Sequence, residues 1–200
     1  MSDTFIFLAS ASPRRHELLN QIGIAHQVID VPSPPGEDEP QHIDESPADY
    51  VLRTALEKAE RAVAWVSQQG LPAHPILSAD TTVILDGAVL GKPKDAADAK
   101  RMLGLLSGHT HEVRTAVVLA HEGHIDRRVS VTQVRFAALS TEEIDAYCDS
   151  GEPFGKAGAY GIQGRAGAFV ESIEGSYSGV MGLPVYDVAQ LLKARGLQVG

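Results

Sequence analysis

Two consecutive stretches, His111-Glu-Val-Arg-Thr-Ala-Val-Val-Leu-Ala120 and Arg128-Val-Ser-Val-Thr-Gln-Val-Arg-Phe-Ala-Ala138, decide the fold class. Both are rich in Val, whose branched side chain suits a pleated surface. Between them lies Glu122-Gly123, a dipeptide suited to a tight reversal, which predicts a hairpin of two long strands. Going toward the N-terminus, Ala96–Leu106 has helical periodicity and closes at Ser107-Gly108. Ile76–Ala79 and Thr82–Leu85 are strand-like and flank Asp80-Thr81, and Asp86-Gly87 turns the chain into Ala88–Leu90. Ala48–Gln69 is a long helix with Val51, Ala55, Ala59 and Val63 on one face. Before it, Pro32–Pro47 holds five prolines and many acids, which makes it a loop or flap. His26–Val31 alternates as a strand does, Pro13–Ile22 is a helix with Ser12 at its N-cap and Gly23 past its end, and Phe5–Ala9 is a buried strand. Toward the C-terminus, Thr141–Asp149 is a helix whose Ser140 and Glu143 form a capping box. Gly151–Gly182 is glycine-rich, and Pro184–Arg195 is a last helix. Helices and strands interleave, so the class is α/β, and the long adjacent strands predict a mixed sheet.

Composition narrows the function. The 200 residues fit a single domain, with room for two lobes, and an apolar content of 44% can build a sizeable core. A formal charge of −9 argues against a nucleic-acid binder, because phosphate-backbone affinity needs a basic face. No apolar run approaches a membrane span, and the N-terminal stretch lacks the basic start of a secretory signal. With only Cys148, no internal disulfide can form, which suits a reducing cytoplasm.

Four segments carry candidate chemistry. Ser10-Ala-Ser-Pro-Arg-Arg15 places Arg14 and Arg15 in the first turn of a helix, against its dipole. Backbone N–H groups, serine hydroxyls and guanidinium groups at that tip suit a phosphate; a capped helix with solvated arginines is the plain alternative. Asp80 lies between two hydrophobic strand pieces, where an acid is disfavoured; it suits a metal or a proton transfer, or else it caps a turn. Lys92, between Gly91 and Pro93, suits a phosphate or simply faces water, and the segment is no P-loop, since Pro93 stands where Ser or Thr is required. Lys156-Ala-Gly-Ala-Tyr-Gly-Ile-Gln-Gly164 allows close backbone approach, and Gln163 offers a donor and an acceptor to a base edge. His109-Thr-His111-Glu112 has no fourth partner and is set aside as a metal cluster.

Together these segments resemble the Maf family of nucleotide pyrophosphatases. The resemblance rests on Leu8-Ala-Ser-Ala-Ser-Pro-Arg-Arg15 with Glu17-Leu-Leu19, Asp38-Glu39, Glu57-Lys-Ala59, Ala79-Asp-Thr81, Gly91-Lys-Pro93, Leu106-Ser-Gly108 and Gly182-Leu-Pro184. They occur in family order over nearly the whole chain, and residues 156–164 look like the branch acting on dTTP and UTP. The resemblance implies an elongated α/β fold like that of the inosine triphosphate pyrophosphatases, one domain over 1–200 with two lobes around a cleft. It implies a homodimer and a divalent metal, Mg²⁺ or Mn²⁺, held by Asp80 and Glu39. Asp80 matches the catalytic acid, Ser10, Arg15, Lys58 and Lys92 match phosphate-site positions, and Arg14, Thr81 and Gln163 match positions tied to substrate choice. The implied reaction is attack of water on the α-phosphate, releasing a nucleoside monophosphate and pyrophosphate. The rival class is a nucleotide-binding regulator of cell division, which would need the cations but not Asp80.

Overall fold

The structure is a computed structural model, which describes residues 5–33 and 40–199. Among the described residues, seven strands form one sheet: β1 (Phe5–Leu8), β2 (Ala25–Val28), β3 (Ile76–Leu85), β4 (Ala88–Leu90), β5 (Thr110–His121), β6 (His124–Phe136) and β7 (Val170–Glu174). Their order is β2-β1-β3-β5-β6-β7, with β4 paired to β3. β1 runs parallel to β2 and to β3, whereas β4 is antiparallel to β3 and β7 to β6. The sheet is therefore mixed, as the long hairpin stretches predict. Helices α1 (Pro13–Gln21), α2 (Pro47–Gln68), α3 (Ala96–Leu106), α4 (Thr141–Asp149), α5 (Tyr177–Met181) and α6 (Val185–Ala194) interleave with the strands.

Turn chemistry explains the hairpins. Asp86 and Gly87 have φ of 49° and 80°, and Glu122 and Gly123 have 50° and 76°, the doubly positive pattern of tight hairpin turns. Two-residue turns let pairing begin at once, so β6 starts at His124 and not at Arg128. β3 is another correction. It runs unbroken through Asp80-Thr81, so the acid lies within a strand and not at the end of one. β7 escaped the sequence reading because four of its five residues are exposed and show no apolar alternation.

The chain forms two compact units. The first comprises Met1–Asp80, Thr115–Ser130 and Gly182–Gly200. Its α2 buries Val51, Ala55 and Ala59 against Ala116 and Val118, then Ala62 and Val66 in a cluster with Phe7, Ile29, Ile76 and Ala120. Val63, expected on this face, is 43% exposed. A helix of 3.6 residues per turn drifts when followed at steps of four, so the buried stripe steps by three from Ala59 to Ala62. Small alanines let α2 lie close to the strands, and Ser78 Oγ donates to Ala55 O at 3.0 Å. The second unit comprises Thr81–Arg114 and Val131–Met181. His111, Phe136 and Tyr160 meet edge to face at its centre, with centroids 4.9–5.4 Å apart.

The capping residues divide. Ser46, Asp95 and Ser140 each accept a backbone N–H of the first helical turn, whereas the Ser12 side chain makes no cap bond. Ser140 and Glu143 complete the expected capping box. Ser140→Ala should therefore cost about 1 kcal/mol and lower the unfolding midpoint by about 3 °C in a thermal melt.

Candidate functional site

The strand-to-helix turn after β1 is tied down by Arg15. Its Nη1 donates to Ser10 Oγ at 3.0 Å and to Ala79 O at 2.8 Å, and its Nε donates to Gly182 O at 2.8 Å. Ser10 Oγ also accepts the Ser12 N–H at 3.3 Å. Sequence alone suits both arginines to a phosphate or to water; in the structure Nε and Nη1 of Arg15 donate to protein acceptors. Arg15 therefore holds the Ser10 turn beside the carbonyl that immediately precedes Asp80. Arg14 is half-buried. Loss of hydration lowers its guanidinium pKa, and Glu17 offsets only part of that effect. A cation in this state gains from a nearby anion.

Asp80 is 7% exposed. Its Oδ1 accepts Lys58 Nζ from α2 at 2.7 Å. Lys58 precedes Ala59, which is wholly buried against the sheet, so helix packing aims the lysine at the strand. A mid-strand acid is tolerable here because the ammonium compensates its charge. In the first unit, then, Ser10, Arg15, Lys58 and Asp80 are joined by hydrogen bonds through Ala79-Asp80.

The remaining candidates lie in the second unit, which begins at Thr81. Lys92 is exposed in the loop after β4. The Gly158 N–H donates to Gly91 O at 3.0 Å, so the glycine-rich segment docks beside Lys92. Gly158 has φ of 67°, and a Cβ there would lie 2.9 Å from both Val83 methyl groups. Gln163 is exposed, and a Cβ on Gly161 would lie 3.1 Å from Lys156 Cε and 3.4 Å from Gln163 Oε1. The glycines of this segment thus serve close packing, as their density suggested. Sequence reading missed Tyr147 and Glu152, whose side chains reach the segment. The one available signal was an acid placed directly between the α4 exit and the glycines.

His111 is a core residue. Its Nε2 lies 2.8 Å from the Tyr160 hydroxyl, and burial pushes its pKa down to about 4. It is neutral at physiological pH and packs among aromatic rings. Glu39, the second expected metal ligand, lies outside the described residues. Among the described residues no group of three or more His, Cys, Asp or Glu could hold a metal. Asp80 offers one carboxylate, a hard oxygen ligand that suits Mg²⁺ or Mn²⁺ when phosphate oxygens and water complete the shell.

These features define an α/β protein in which a helix lysine holds a buried strand carboxylate, next to a carbonyl that Arg15 ties to the Ser10 turn. The sequence comparison then places it: residues 5–195 match the Maf-like protein family, and the chain belongs to that family. A dTTP/UTP pyrophosphatase of Bordetella parapertussis is 63% identical over 97% of this chain and 94% of its own length. Proteins of the same name from Nitrosomonas europaea and Chromobacterium violaceum are each 50% identical, over 97% and 99% of this chain and 96% and 98% of their own. The solved structure of the Staphylococcus aureus Ham1 protein aligns over 67% of this chain and 72% of that one, at 14% identity and a TM-score of 0.45.

Proposed function

We propose that this chain is a nucleoside triphosphate pyrophosphatase that hydrolyses dTTP and UTP to the monophosphate and pyrophosphate. The observation that carries the reading is the Asp80–Lys58 pair, a nearly buried carboxylate that accepts the lysine ammonium beside the Arg15-tied Ser10 turn. A protein that only bound a nucleotide would need the cations but no such acid. The names of the relatives, which match at 50–63% identity over nearly full length, supply the substrates.

In this reading Asp80 takes a proton from a water whose oxygen bonds to the α-phosphorus. The bond from that phosphorus to the α,β-bridging oxygen breaks, and its electron pair leaves with pyrophosphate. Lys58 holds Asp80 in place through its hydrogen bond to Oδ1. Arg14 and Lys92 face the phosphates, Ser10 donates its hydroxyl, and Arg15 holds the turn that presents it. Thr81 and Gln163 read the pyrimidine. A Mg²⁺ or Mn²⁺ ion at Asp80, with Glu39 as second carboxylate, would supply Lewis acidity and neutralise phosphate charge. The chain acts as one domain and as a homodimer in the cytoplasm. No helix among the described residues is long and apolar enough to cross a membrane.

The test is product analysis with Mg²⁺ and a panel of triphosphates. Monophosphate plus pyrophosphate, led by dTTP and UTP, is expected; release of inorganic phosphate or no turnover with either metal defeats the reading. Arg14→Ala should raise KM for dTTP about tenfold, the scale of one charge-assisted contact. Part of that loss will be masked, because removing a cation from a helix N-terminus relieves its dipole. Unchanged steady-state kinetics would end the anion reading of that helix start.

A further inference from the structure

Gln163 sits on an exposed turn, which by itself would let a base-reading amide wander. The structure provides a brace. The Gly161 N–H donates to Tyr147 Oη at 3.3 Å, and that hydroxyl donates to Glu152 Oε1 at 3.0 Å. The other carboxylate oxygen, Glu152 Oε2, accepts the Arg165 N–H at 3.2 Å. One carboxylate therefore grips the backbone two residues before Gln163, through a phenol, and two residues after it, directly. Lys156 Nζ donates to the Glu152 carbonyl, so the start of the segment is tied to the same residue.

Packing fits the brace to glycine. A Cβ on Gly164 would lie 2.1 Å from Glu152 Oε1 and 2.6 Å from its carboxyl carbon. A Cβ on Gly167 would lie 2.8 Å from the Ile162 carbonyl, so the turn also closes on itself. Tyr147 is 3% exposed, and burial raises its pKa, so the hydroxyl keeps its proton and remains a donor. On the far side Tyr160 is anchored through His111 at 2.8 Å. The pieces come from α4, from its exit turn and from β5, all in the second unit.

We infer that Glu152 and Tyr147 are specificity-positioning residues that hold the Gly161–Arg165 turn so that Gln163 meets the pyrimidine edge. The inference rests on the reading of Gln163 given above. Neither residue needs to touch substrate. Misplacing a recognition group by about 1 Å can cost about a hundredfold, so loosening this turn should show in selectivity before it shows in stability.

The test uses Glu152→Ala, Glu152→Gln, Tyr147→Phe and Gln163→Ala in the full chain, with dTTP, UTP, CTP and GTP. Glu152→Ala should lower the dTTP-over-GTP ratio of kcat/KM by about tenfold or more, mainly through KM, as loss of a polar recognition contact does. Glu152→Gln keeps one acceptor and should recover part of that ratio. On the Gln163→Ala background, Glu152→Ala should lower the ratio no further, because the brace acts through Gln163. Hydrogen exchange at the Gly161 and Arg165 amides should quicken in Glu152→Ala while the β5 and β6 amides stay protected. If Gln163→Ala alters selectivity but Glu152→Ala and Tyr147→Phe do not, the positioning role is overturned and the pyrimidine reading stands. If Gln163→Ala leaves selectivity untouched, both fall. Should Tyr147→Phe fail to fold, the two Glu152 variants decide the matter, since Glu152 is only partly buried.

Discussion

Asp80→Asn should reduce kcat for dTTP by about a thousandfold, within the 10²–10⁴ range of positioned proton transfer, with little change in KM. The asparagine keeps the shape of the side chain and an oxygen that can face Lys58 Nζ, which lies 2.7 Å from Oδ1 in the native pair. It loses the negative charge and the ability to take a proton from water. It is also a poorer oxygen ligand for a divalent cation. Stability should change little. The Lys58 side chain is 24% exposed, so its ammonium can turn toward water when its partner is neutralised. Asp80 itself is buried and only Lys58 reaches water, so losing this one bond should cost about 1 kcal/mol and shift the unfolding midpoint of a chain this long by about 2–4 °C. Steady-state kinetics and a thermal melt on the same preparation separate the two effects. Turnover within about threefold of wild type would remove Asp80 from the centre of the reaction.

Gly158→Ala should destabilise the protein by about 2–4 kcal/mol and lower its midpoint by about 5–15 °C. Two costs add. At φ of 67° an alanine is in the left-handed region, which costs about 1 kcal/mol or more. Its Cβ would also lie 2.9 Å from Val83 Cγ1 and Cγ2 and 3.0 Å from Val83 Cβ. Val83 is 2% exposed on β3, and a branched side chain cannot swing away by a simple rotamer change. The glycine-rich segment must move instead, straining the Gly158 N–H bond to Gly91 O beside Lys92. Gly87→Ala is the control. It has φ of 80° but nothing within 4 Å of a Cβ, so it should show the backbone cost alone, about 1 kcal/mol. Equal midpoints for the two variants would show that the Val83 contact carries no cost.

Much of the local structure was legible because its signals lie within a few residues of one another. The Ser140–Glu143 box, the Asp86-Gly87 and Glu122-Gly123 turns and the bounds of α3 depend on neighbours in the chain, and each stands where the pattern placed it. The ordered motifs likewise pointed to the Maf-like family, to which the chain belongs. Partners far apart in sequence were not legible. Lys58 reaches Asp80 across 22 positions, and Arg15 reaches Ala79 across 64 and Gly182 across 167. The continuity of β3 through Asp80, the switch from Val63 to Ala62 and the place of β7 all follow from how α2 and the strands pack, since tertiary burial overrides a local pattern. Residue types and short-range spacing specified the elements and the chemistry available to them. Only the folded chain decided which arginine serves as a tie, that the acid is held by a helix lysine, and that one glutamate braces the turn bearing Gln163, because hydrogen bonds act over about 3 Å in space whatever the distance along the chain.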